Sequence, residues 1–444
     1  MIDPVSVVGL IASLLGFSAR DIIPKLRVYL RDNSELAFRQ KRESVRHHML
    51  VETLRGYYCA ALRSEGPAGF HFYEVEIDGK NRVLTSVVAK PEWVGFHADL
   101  DKVRCTVSPR PAALGDGRIV PTASNAHGLE IWNPRISADR LARYYALVFG
   151  AGSRIYDQEL YRLLNVGGFP QDLSVSFGLD SYFRYRFGVG LLIEELTLAL
   201  MENTFNIDAI VRGKADYLPL RQYFLPNASR FSDYQSRVCA GGIQVTFAMA
   251  RDAGDFVIPT QMRSASVDGG QGWRSIVPMA YHQPMVDADE EVSLECSVFR
   301  ELFEELFSGE EAEEHVKRVE PDWYFEECPA LKWLKKNRRN LTVKCTCFAP
   351  NLLFGTYDFG ILLVVHDPAF WKKFGKQMST NWEIGKAKKI TTESSGNLGG
   401  LAALVAEDPW SDQGLVSLVE GLTLLKALEP KRVAELTFRR QLTQ

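Results

Sequence analysis

Leu294-Glu295-Cys296-Ser297-Val298-Phe299-Arg300-Glu301-Leu302-Phe303-Glu304-Glu305-Leu306-Phe307-Ser308 is the stretch on which the reading of this chain turns. Leu294, Val298, Leu302 and Leu306 recur at i, i+4 spacing, with Phe299 and Phe303 beside them. That spacing predicts an amphipathic helix whose apolar stripe lies against a sheet. Glu301, Glu304 and Glu305 stand at i, i+3 and i+4, so their carboxylates leave the helix on one side. Like charges there repel unless something positive sits among them. A divalent cation with oxygen ligands suits that role, and Mg2+ with bound phosphate oxygens suits it best. Arg300, next to Glu301, can pair with a carboxylate and fix its orientation.

Around this helix the pattern is that of an α/β unit over residues 239–430. Residues 243–250 and 256–258 read as a strand hairpin about the turn 252–255. Residues 273–281, 341–348 and 360–366 read as further strands, and 415–428 as a closing helix. Cys345 and Cys347 are expected on one face of their strand as small buried side chains.

Upstream, residues 19–63 read as helical and basic, with Arg39, Lys41, Arg42 and Arg46. Runs at 71–77 and 83–88 alternate like strands around the turn Asp78-Gly79. Gly115-Asp116-Gly117 and Asn133-Pro134 mark loops. Residues 137–165 return to helical spacing, 173–177 look like a strand, and 187–201 form an apolar helix with Glu194 and Glu195 as polar positions. Gly188-Val189-Gly190 reads as close packing rather than a phosphate loop. The division that follows is a helical segment at 1–65, an α+β region at 66–235 and the α/β unit at 236–430.

Arg300-Glu301-Leu302-Phe303-Glu304-Glu305 resembles the core of the Nudix box, R-E-U-x-E-E with U aliphatic. The preceding hairpin and acid-rich loop resemble that family's context too. The resemblance implies an α/β/α sandwich with a mixed sheet, and hydrolysis of a diphosphate linkage in nucleoside diphosphate-X compounds. It implies Mg2+ or Mn2+ held by Glu301, Glu304 and Glu305, supported by Arg300. The family pattern also has a glutamate eight residues before the arginine, where this chain has Val292. Glu290 and Glu291 are offset from it by two residues and one. The glycine turn before the helix is replaced by residues 279–284, and the downstream glycine position holds Phe307. Residues 155–430 resemble bacterial proteins with a Nudix-like C-terminal half. Glu383, after the last strand, occupies the place where such enzymes carry a further catalytic acid on a loop.

Composition narrows the rest. The 444 residues are 46 % hydrophobic and 24 % charged, which excludes a disordered or collagen-like chain. With 52 Lys+Arg against 55 Asp+Glu, bulk charge does not favour nucleic acid as the partner. Local basic runs at Lys332, Lys335, Lys336, Arg338 and Arg339, and at Lys372, Lys373, Lys376, Lys386, Lys388 and Lys389, suit polyphosphate, nucleic acid, or exposed charge that balances the acidic helix. Seven scattered cysteines do not make a disulfide framework. Residues 5–17 are apolar but too short to span a membrane, which needs about 20 residues, and they suit packing on the body or on another subunit. His47-His48 has no acid or cysteine at metal spacing, and His282 reads as a turn histidine. The expectation is a cytoplasmic, multidomain protein acting on a nucleotide-like small molecule. Its two candidate functions are Mg2+-dependent hydrolysis of a phosphoanhydride bond and a catalytically inactive Nudix-like module that binds a nucleotide or a protein.

Overall fold

The computed structural model describes residues 19–32, 36–65, 69–108, 136–150, 157–203, 205–263, 272–307, 321–378 and 390–443. The apolar stretch 5–17, the loop signals at 115–117 and 133–134, Glu383, Lys386, Lys388 and Lys389 lie outside these residues. The strands are β1 (His71–Ile77), β2 (Asn81–Ala89), β3 (Val94–Asp99), β4 (Arg104–Val107), β5 (Glu159–Gly167), β6 (Ser174–Ser181), β7 (Gly241–Ala250), β8 (Phe256–Met262), β9 (Arg274–Ile276), β10 (Met279–Tyr281), β11 (Leu341–Asn351), β12 (Thr356–Val365), β13 (Thr391–Ser394) and β14 (Phe438–Thr443). The helices that carry the argument are α1 (His47–Glu65), α2 (Leu294–Leu306), α3 (Pro329–Lys336), α4 (Pro368–Phe374) and α5 (Asp412–Leu428).

The fold is α/β. A large mixed sheet runs β13-β8-β7-β12-β11-β2-β1-β14, with β10 also on β7, β3 on β11 and β9 on β8. β7 and β12 pair in parallel and the other pairs are antiparallel. Every residue of β7 and β12 is buried, as expected where helices cover both faces. On one face Thr246 of β7 donates its Oγ1 hydrogen to the Ser417 carbonyl of α5 at 3.0 Å. On the other, Phe247 meets Phe370 of α4. Glycines bring α5 close: a Cβ on Gly421 would sit 2.6 Å from Thr246 Oγ1, and one on Gly360 2.8 Å from Ser417 Oγ. A smaller sheet, β4-β6-β5, stands beside the large one.

Local chemistry explains several elements. Asp78 and Gly79 both take positive φ (51° and 67°), the twist a tight hairpin needs between β1 and β2. The 252–255 turn is clamped by Arg251, whose Nε donates to Asp255 Oδ1 at 2.8 Å. A Cβ on Gly190 would lie 3.0 Å from the Tyr185 carbonyl, so this glycine serves close packing.

Other expectations change. Residues 159–165 are strand rather than helix. Beyond pairing with β6, Tyr161 N–H donates to the His282 carbonyl and Leu163 N–H to the Cys239 carbonyl, so tertiary partners override the helical spacing. The run 273–281 is two strands, because Pro278 cannot donate to a ladder; β9 pairs with β8 and β10 with β7. The apolar helix begins at Leu192, after a 3-10 turn at Val189–Leu191. Cys345 and Cys347 do not share a face. Thr346 forms a bulge, so they stand opposite Ile361 and Gly360, consecutive residues on β12. Both cysteines are nevertheless fully buried, and all seven are free thiols. Among the described residues, no helix is long and apolar enough to cross a membrane.

Candidate functional site

Helix α2 begins at Ser293, whose Oγ accepts the Glu295 N–H at 3.2 Å. Leu294, Val298, Leu302 and Leu306 are all buried. Phe299 packs on Phe325 and Phe303 on Trp323, with ring centroids 5.1 and 5.0 Å apart. The apolar stripe is therefore consumed by the sheet and by the segment 323–325. This orientation turns Arg300 and the glutamates toward the loop that precedes the helix.

Arg300 is 2 % exposed and lies at the centre of that loop. Its Nη1 donates to the Gln283 carbonyl at 2.9 Å, and its Nη2 donates to Glu301 Oε1 at 3.2 Å. Glu291 Oε2 is 3.7 Å from Nη1, and Glu304 Oε1 is 3.8 Å from Nε. Burial alone lowers the basicity of the guanidinium, but Glu301, Glu304 and Glu291 outweigh it and the net shift is upward. The positive group among the acids is thus supplied by the chain itself.

Glu291 is the residue that sequence reasoning did not single out. It is 2 % exposed. Its Oε1 accepts N–H groups from Val286 and Asp287 at 2.6 and 2.7 Å, and its Oε2 accepts that of Met285 at 2.9 Å. The loop 285–291 is wound around this carboxylate. Glu305 is 3 % exposed, and its Oε2 accepts the Met279 N–H at 2.9 Å, which ties the helix to β10. Glu301 is 6 % exposed, while Glu304 keeps 15 % of its side chain open.

His282 is a packed histidine. Its ring stacks on Tyr161 with centroids 4.2 Å apart. Nε2 lies 3.0 Å from the Val292 carbonyl, so that nitrogen carries the proton. Nδ1, 2.8 Å from Ser297 Oγ, then accepts. Burial and then the nearby Arg300 charge push its pKa down to about 3. Elsewhere His47 Nε2 is 3.0 Å from Asp412 Oδ1, a pairing no spacing rule reveals because the two lie on different helices. Glu194 and Glu195 are both buried. Glu194 takes Arg186 at 2.6 and 3.1 Å, and Glu195 accepts the N–H groups of Leu220 and Arg221.

The carboxylate oxygens of Glu301, Glu304 and Glu305 are of the chemical type that Mg2+ or Mn2+ prefers. As positioned they do not fit such an ion: Glu301 is turned to Arg300 and Glu305 to the Met279 amide. Among the described residues, no three His, Cys, Asp or Glu side chains form a group that could hold a metal. What the arrangement does chemically is neutralise a buried guanidinium and fix a loop to a helix. No protein-family model matches the chain, and no curated protein matches it.

Proposed function

We propose that residues 236–430 form a Nudix-like module that binds a nucleotide-like ligand or a protein partner without hydrolysing it. One observation carries this reading: Arg300 sits buried among Glu291, Glu301 and Glu304 and draws their charge inward. Carboxylates committed to an internal cation and to backbone amides are poorly disposed to receive a second cation with its phosphate oxygens. Fold-level resemblance supports the architecture, and the engaged acids support loss of turnover. Seven free thiols favour a reducing compartment, and we place the protein in the cytoplasm on that ground.

The experiment is a screen of nucleoside diphosphate compounds with Mg2+ or Mn2+. It reads released phosphate or nucleoside monophosphate alongside the melting temperature. The expected result is no product, no metal-dependent rise in melting temperature, and a ligand-dependent rise for at least one compound. Metal-dependent product that disappears in Glu304→Gln overturns the reading. It would favour the second one, a Mg2+- or Mn2+-dependent phosphoanhydride hydrolase using Glu301, Glu304, Glu305 and, outside the described residues, Glu383. The observation behind that second reading is Glu304, the most open of the three carboxylates around Arg300.

A further inference from the structure

We infer that the exposed seam between α3 and α4 is a binding surface for single-stranded nucleic acid. The two helices meet where Trp333 packs on Phe370, with ring centroids 5.3 Å apart. Lys336 follows Trp333 by one helical turn, and Lys373 follows Phe370 by one, so both rise along the contacting sides. Lys336 and Lys373 are exposed, and so are Arg339, Lys372 and Lys376. None of these five has an acidic partner among the described residues. Their neighbours do: Lys332 pairs with Glu326, Lys335 with Asp322 and Arg338 with Glu295.

Helix-end electrostatics explain only part of this. Cations in the last turn complement the helix dipole, which accounts for Lys336, Lys372 and Lys373. Arg339 and Lys376 stand beyond the helix ends, in the turns Arg338–Asn340 and Gly375–Gln377. The aromatic content decides the kind of polyanion. Trp333 and Trp371 are half-buried rather than sealed, and each shares its helix with exposed cations. Single strands use that combination, phosphates on cations and bases on aromatic faces. An anionic lipid surface would call for an exposed apolar helix face, and here Leu334, Phe370 and Phe374 are buried.

The test is fluorescence polarisation of the full chain with a labelled oligothymidine of roughly 20 nucleotides, a length beyond one typical site. Five phosphate contacts on a single strand predict an affinity that falls about 100-fold between about 50 and 200 mM salt. The triple variant Lys372→Glu/Lys373→Glu/Lys376→Glu should lose at least about tenfold in affinity at low salt with an unchanged melting temperature. The double variant Lys336→Glu/Arg339→Glu, on the other side of the seam, should lose binding independently, which guards against misfolding of either one. No binding at low salt overturns the inference. So does wild-type affinity in both variants, or capture by phosphatidylserine vesicles with none by the strand.

Discussion

Glu291 Oε2 stands 3.7 Å from Arg300 Nη1, and both side chains are almost sealed from solvent. The same carboxylate collects the N–H groups of Met285, Val286 and Asp287. One acid thereby links a loop to the middle of a helix. Removing its cation leaves a buried charge without a counterpart, which typically costs about 3–5 kcal/mol. Arg300→Ala should lose stability in that range by urea denaturation. Arg300→Lys should recover less than half of it, because an ammonium lacks the planar fork that reaches both the Gln283 carbonyl and Glu301. A loss below about 1 kcal/mol for Arg300→Ala would show that the cluster is not holding the fold.

The four carboxylates around Arg300 and β10 should not behave alike. Glu304→Gln touches the most open one and should cost less stability than Glu291→Gln. Glu291→Gln weakens a charged acceptor of three backbone N–H groups and should cost about 1–3 kcal/mol. The same denaturation series compares them. Equal costs would contradict the division of roles drawn from burial.

Asp358 makes stability depend on pH. Burial lifts its pKa to about 7, against smaller opposing contributions from Gln244, the Gly242 N–H and Arg263. An unfolded aspartate titrates near about 3.9. Between those values the folded chain holds a proton that the unfolded chain has lost, so stability falls as pH rises, by at most about 1.4 kcal/mol per unit. Glu195, also raised to about 7 by burial, acts in the same direction. Asp358→Asn should flatten the slope between about pH 5 and 7 in a series of denaturation curves. An unchanged slope would mean that Asp358 is ionised in the fold.

His282 acts oppositely. Its folded pKa is depressed to about 3, while the unfolded imidazole titrates near about 6.5. Stability on its account is complete above the unfolded value and is lost as pH falls below it. Proton NMR should therefore show a His282 ring signal, identified by its absence in His282→Gln, that stays fixed from about pH 7.5 to 5. A midpoint near about 6.5 would mean that the ring is open to water.

Periodicity was sufficient for α2, for β7 and for the hairpin to β8, because each pattern there reports burial directly. It failed at residues 159–165, the end of the run 137–165 read as helical from Leu141, Tyr144, Tyr145 and Val148, which yields to pairing with β6, Cys239 and His282. It also failed at Cys345 and Cys347, since a one-residue bulge leaves no mark on alternation. In the candidate site the helix residues were legible from i, i+3, i+4 geometry. Glu291 was not, because its role depends on how the loop 285–291 folds back, and no spacing rule encodes that path.

The pairing of β14 with β1 joins Phe72 to Thr443 across most of the chain. During synthesis, the β1–β2 hairpin is made before residues 438–443, and β1 must wait for them before its second edge is covered. Until then that edge offers unpaired amides to any strand nearby, including that of a neighbouring nascent chain. In the folded molecule residues 438–443 cover this edge, so a ribosome that stalls short of residue 438 would release a product with a sticking edge.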